Sequence, residues 1–160
     1  MRTIDGTASA TGGRFAIVVS NFNDFVTGRL EAGARRALAA AGVPSDRLTI
    51  VRVPGAFEIP FAARCAAATG QFDAVLCLGC VIRGETPHFE YISTAVAHGI
   101  TDAAAATGIP MTFGVLTTNS IEEALERAGE GPSNKGWEAA AAAMEMVAVA
   151  AQLSRPAPAS

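Results

Sequence analysis

The chain is poor in residues that many site chemistries need. Among 160 residues it has two histidines, His88 and His98, and three cysteines, Cys65, Cys77 and Cys80. An odd cysteine count argues against a disulfide framework. Cys77 and Cys80 have CxxC spacing, but they fall in an apolar run that reads as a strand. Strand residues three apart point to opposite faces, which disfavours a shared bond or a shared metal. A zinc site would also need more ligands than the two histidines supply. The thiols are therefore read as small buried core groups, and no metal is expected.

Basic runs are missing too, and the net charge is -3 at pH 7. Nucleic acid is not an expected partner for such a surface. No apolar stretch approaches ~20 residues, so no membrane span is expected. The start, Met1-Arg2-Thr3-Ile4-Asp5-Gly6, lacks the apolar core of a signal peptide, and a cytoplasmic location is the resulting expectation. What the chain does have is 50% hydrophobic residues, too many for disorder over most of its length. Its length suits one domain, residues 1–160, that buries its own core. Residues 1–13 read as a polar, Gly-rich arm, either loose or docked as a strand outside the core. The Pro- and Ala-rich tail, residues 154–160, reads as flexible.

Four continuous apolar runs read as strands: Phe15–Ser20, Leu48–Val53, Ala74–Cys80 and Met111–Thr117. Strands covered on both faces by helices have this character. Helical spacing fills the gaps, over Asp24–Ala41, Phe57–Thr69 and Phe89–Thr107. Gly42 and Gly108 end the first and third of these. Pro60 is tolerable because it falls in a first turn. Ser120-Ile121-Glu122-Glu123 reads as a capping box for a short fourth helix. After a Gly/Pro break at Gly129–Ser133, an Ala-rich helix covers Lys135–Leu153, with Trp137 and the alanines as packing surface. The order βαβαβαβαα predicts an α/β fold. It should be a three-layer α/β/α sandwich with a four-stranded parallel, flavodoxin-like sheet.

Ligands of such sheets bind beyond the C-terminal strand ends. The unusual residues gather there: Asn21-Phe22-Asn23, then Pro54-Gly55-Ala56-Phe57-Glu58, then Gly79 to His88, then Phe113 and Thr117-Thr118-Asn119. Two aromatic residues at one sheet end suit a planar ring. The segment Gly79-Cys80-Val81-Ile82-Arg83-Gly84-Glu85-Thr86-Pro87-His88 links a strand to a helix, a setting that favours anions. Gly79 and Gly84 copy the P-loop spacing, but Glu85 stands where a P-loop needs Lys. A small phosphate beside the imidazole of His88 is the ligand this segment suggests.

These segments, with Thr112-Phe113-Gly114, Glu126-Arg127-Ala128-Gly129 and Asn134-Lys135-Gly136, resemble the lumazine synthase family in one register over about residues 13 to 153. The resemblance implies condensation of 5-amino-6-(D-ribitylamino)uracil with 3,4-dihydroxy-2-butanone 4-phosphate, without metal or organic cofactor. It implies that Phe22 stacks on the pyrimidine, that Ala56, Phe57 and Glu58 hold the ribityl side, and that Cys80, Val81 and Ile82 meet the uracil edge. Gly84, Glu85 and Thr86 would cradle the phosphate, and His88 would move protons. Phe113 and Arg127 would come from an adjacent subunit, Arg127 binding phosphate, with Lys135 near the same site. It further implies a homo-oligomer built of pentamers. Closure into a 60-subunit shell and association with riboflavin synthase are left open.

Two positions depart from the family pattern. Glu85 replaces an Asp or small residue, a change that suits phosphate only if its side chain points away. Gly131-Pro132-Ser133 alters a loop linked in the family to assembly. Simpler readings compete at some positions: Phe22 and Phe57 as core, Glu58 as a helix-start charge, and Arg127 as the i,i+4 partner of Glu123. His98 reads as an ordinary mid-helix residue. The alternative function is a non-catalytic flavin- or lumazine-binding or shell-forming member. A phospho-receiver would want Asp where strand two ends in Val53-Pro54-Gly55.

Overall fold

A computed structural model describes residues 1–7 and 12–156. In chain order the elements are β1 (Phe15–Ser20), α1 (Asp24–Ala40), β2 (Leu48–Val53), α2 (Ile59–Ala68), β3 (Ala74–Ile82), α3 (His88–Thr107), β4 (Met111–Thr118), α4 (Ile121–Arg127) and α5 (Lys135–Leu153). The sheet is parallel throughout, in the order β2-β1-β3-β4. It is the expected three-layer sandwich. The chain steps from β1 to β2 on one side and then to β3 on the other. The crevice between β1 and β3 is therefore the topological switch point.

Alternation along the inner strands builds two cores. Phe15, Ile17, Val19, Leu76 and Leu78 pack under α1, α4 and α5. Ala16, Val18, Val75 and Cys77 pack under α2 and α3. Cys77 and Cys80 fall in opposite cores, as strand parity requires. Both are buried free thiols, and burial pushes Cys77 up to about 12 and Cys80 up to about 11.

Small residues set the helix spacing. A Cβ on Gly136 would overlap the Leu30 carbonyl, so α5 meets the backbone of α1 directly. Asn134, 1% exposed, locks this junction. Its Oδ1 accepts from the Gly136 and Trp137 amides at the start of α5, at 2.7 and 3.1 Å. Its Nδ2 donates to the Arg29 and Gly129 carbonyls at 3.1 and 2.8 Å. α1 ends in a Schellman motif: the Gly42 amide bonds the Ala39 carbonyl and the Val43 amide bonds the Leu38 carbonyl.

Several expected details change. β3 runs two residues past Cys80, because β4 offers partners: Val81 pairs with Thr117 and Ile82 with Thr118. Gly79 therefore lies inside β3, not in a phosphate turn. A Cβ there would sit 2.8 Å from Ile59 Cδ1 and 3.1 Å from Ser20 Oγ, so the glycine serves close packing. The P-loop spacing is coincidental. α2 starts at Ile59 after a 3-10 turn over Ala56–Glu58. The capping box is only half formed. Ser120 Oγ accepts from the Glu123 amide at 3.1 Å, but the Glu123 carboxylate accepts from Asn119 instead, at 2.9 Å. At the N-terminus, residues 1–7 form no strand; the Asp5 carbonyl accepts from Gln152 of α5 at 2.6 Å. Arm residues 8–11 and tail residues 157–160 lie outside the described residues. Among the described residues no helix is long and apolar enough to cross a membrane.

Candidate functional site

The connections after β1, β2 and β3 surround a cavity of about 650 Å³. The backbone ties the first two together: the Asn21 amide donates to the Val53 carbonyl at 2.8 Å and the Phe22 amide to Pro54 at 3.0 Å. Phe22 is thereby held across from the Ala56–Glu58 turn. Phe22 and Phe57 are 70% and 60% exposed, so both aromatic rings stand free of the core. That exposure overturns the core reading of these residues and leaves apolar faces for a planar ligand. Glu58 is turned inward on its own loop, where Oε1 accepts from the Gly55 amide at 3.0 Å. It acts locally as a cap and still lines the cavity.

The floor is the end of β3, through Cys80, Val81 and Ile82. Beyond it the chain is exposed from Arg83 to His88. The Arg83 amide makes the last sheet bond, to Thr118 at 2.8 Å. The next three N–H groups, of Gly84, Glu85 and Thr86, have no acceptor among the described residues. They immediately precede α3, whose positive dipole end lies at His88. Unpaired amides before a helix start are an anion site. Gly84, Thr86 and His88 line the cavity, whereas Glu85 is exposed and is not in its wall.

Three further candidates lie apart. Phe113, Arg127 and Lys135 line a separate depression of about 330 Å³ beside β4, together with Glu138. Phe113 is 50% exposed. Arg127 does not pair with the Glu123 carboxylate, which accepts from the Asn119 amide. Its Nη1 donates instead to the Glu123 carbonyl at 3.0 Å, and its charge has no anionic partner among the described residues. Lys135 Nζ bonds Glu138 Oε2 at 2.8 Å. No group of three His, Cys, Asp or Glu residues among the described residues could hold a metal ion.

A family model described as 6,7-dimethyl-8-ribityllumazine synthase matches residues 12–151. The chain is 50% identical over 151 residues to a 6,7-dimethyl-8-ribityllumazine synthase of Desulfatibacillum aliphaticivorans, covering 94% of this chain and 97% of that one. It is 51% identical over 149 residues to the enzyme of that name from Syntrophus aciditrophicus (strain SB), covering 93% and 97%. The chain belongs to the 6,7-dimethyl-8-ribityllumazine synthase family. The resemblance seen in the motifs is thereby established along nearly the whole chain.

In this lumazine synthase family member the cavity wall also includes Asn23 and Gly55, placed at the strand ends by the sequence but given no role there, and Phe89 and Ile92, which the sequence did not single out. Ile92 was findable, since it lies four past His88 on the same helix face, and Phe89 adjoins Ile92 at i,i+3. Asn23 carried a weaker signal. It adopts φ 63 without being glycine, which Asn tolerates better than most residues.

Proposed function

We propose that the chain condenses 5-amino-6-(D-ribitylamino)uracil with 3,4-dihydroxy-2-butanone 4-phosphate. The products are 6,7-dimethyl-8-ribityllumazine, phosphate and water, at the penultimate step of riboflavin biosynthesis. The observation that carries this reading is the joining of exposed aromatic faces, unpaired amides and a histidine in one cavity of a family member.

In this reading Phe22 stacks on the pyrimidine, and Ala56, Phe57 and Glu58 receive the ribityl chain. Cys80, Val81 and Ile82 meet the uracil edge. The amides of Gly84, Glu85 and Thr86 hold the phosphate of the second substrate. The amine of the first attacks the ketone of the second, and the carbinolamine loses water to an imine. Elimination then expels phosphate, and attack of the second amine on the remaining carbonyl closes the ring with loss of a second water. His88, on the cavity rim, moves protons during these steps, as imidazole can near neutral pH. Holding both reactants together supplies much of the acceleration.

Among the described residues no Lys or Arg lines the cavity, and Arg127 with Phe113 and Lys135 faces a separate depression. Two half-sites on different surfaces of one chain complete each other when copies pack head to tail in a ring. The reading therefore includes a homo-oligomer with sites between subunits, pentameric in the family's manner. Shell closure and riboflavin synthase association are further possibilities of the same reading, and a cytoplasmic location goes with it. The test is release of inorganic phosphate with formation of the lumazine chromophore when both substrates are supplied. A non-catalytic binder would take up ligand and release no phosphate. A solution mass near one chain would refute the shared site.

A further inference from the structure

We propose that Arg83 is a positioning residue that fixes the phosphate cradle and His88 without touching substrate. The inference rests on the function proposed above and assigns a role to a side chain outside the cavity wall.

The connection from Gly84 to Pro87 has little to hold it. After the bond from the Arg83 amide to Thr118, the next backbone bonds on this stretch are those of the Glu90 and Tyr91 amides to Pro87, within the helix start. Yet the cradle amides must stay aligned, because misplacement by even ~1 Å can cost about a hundredfold in rate. The side chain of Arg83 spans this gap. Its Nε donates to Asn119 Oδ1 at 2.8 Å, in the turn between β4 and α4. Its Nη1 donates to Glu90 Oε1 at 2.8 Å, in the first turn of α3. Its guanidinium carbon stands 4.5 Å from the centroid of the Phe89 ring, and Phe89 lines the cavity beside His88.

One planar group thus joins the start of the connection, the helix that ends it and the end of a sheet strand. Asn119 is itself fixed, since its amide donates to Glu123 at 2.9 Å. An exposed ion pair such as Arg83–Glu90 contributes little to stability alone. Its value here is geometric: the rigid fork meets three partners at fixed angles, which a lysine ammonium cannot do.

The experiment measures kcat, KM for each substrate and the thermal midpoint for the full chain and its variants Arg83→Gln, Arg83→Lys and Asn119→Ala. Arg83→Gln is expected to raise KM for the butanone phosphate roughly tenfold or more, by misplacing the cradle. KM for the ribitylaminouracil should stay within about twofold, since that half of the cavity is built from the connections after β1 and β2 and from the end of β3, which its pairing with β4 holds in place. Arg83→Lys should fail to rescue. Asn119→Ala should show the same split more weakly, and adding it to Arg83→Gln should cost little more. Unchanged kinetics in Arg83→Gln, an equal rise in both KM values, or full rescue by Lys would overturn the proposal. If Arg83→Gln fails to fold, the split or its absence in Asn119→Ala decides. A wild-type chain that releases no phosphate sinks the functional reading and this proposal together. An active wild type with unaffected variants sinks this proposal alone.

Discussion

Asn23 donates its side-chain amide to the Cys80 carbonyl at 3.0 Å while its own backbone sits at φ 63. The loop bearing Phe22 is thus pinned to the strand that floors the cavity. Asn23→Ala loses this part-buried bond and leaves a Cβ in the left-handed region. It should lower unfolding free energy by about 1–3 kcal/mol. Asn23→Gly relieves the backbone but not the bond, so it should fall between wild type and Asn23→Ala. Urea unfolding of the three proteins checks the order; an Ala variant as stable as wild type would show that the bond holds nothing.

His88→Ala should slow turnover without ending it. A proton-transfer group contributes about 10² to 10⁴ in rate. The cradle and the stacking faces remain in the variant, so approximation of the two substrates survives. Steady-state kinetics with both substrates would read this. Total loss of turnover with intact ligand binding would contradict it.

Arg127 and His88 lie in different depressions of one chain. If each site draws on two chains, His88→Ala and Arg127→Ala proteins should complement. Refolded together in equal amounts, they should regain both residues in about a quarter of the sites. Activity should then exceed that of either variant alone. A mixture that gains nothing would mean that His88 and Arg127 do not meet across an interface.

The thiols give a prediction about pH. Cys65 is exposed, whereas Cys77 and Cys80 are buried. A thiol reagent at mildly alkaline pH should modify Cys65 first and reach the other two only on unfolding. Burial raises Cys77 from 9.0 to about 12 and Cys80 from 9.0 to about 11. Above pH 9 the unfolded chain therefore sheds thiol protons that the folded chain keeps. By linkage, stability from these two groups is full below pH 9. It declines as pH climbs through 11 for Cys80 and 12 for Cys77. Replacing both by Ser or Ala should flatten that decline in denaturant titrations.

Local pattern along the chain was enough for the layers and for the bounds of β1 and β2. β1 is buried on both faces and carries a continuous apolar run, and α5 carries a spaced one, so both could be bounded from local pattern; the bounds of β2 matched too, although that edge strand is only partly buried. The sequence by itself also placed the chemistry-bearing residues at the ends of strands, because parallel connections leave them nowhere else. What it could not determine depended on partners distant in the chain. β3 runs on to Ile82 only because β4 offers Thr117 and Thr118. Gly79 reads as a phosphate glycine until Ile59 and Ser20 are seen beside it. Arg127 reads as an ion-pair partner of Glu123 until its guanidinium is seen on the Glu123 carbonyl, with the carboxylate turned to the Asn119 amide. Arg83 has nothing in its neighbourhood of sequence to suggest Asn119, 36 positions away. Period and composition act within a few residues, whereas hydrogen-bond partners and steric gaps are fixed only when the sheet brings far segments together.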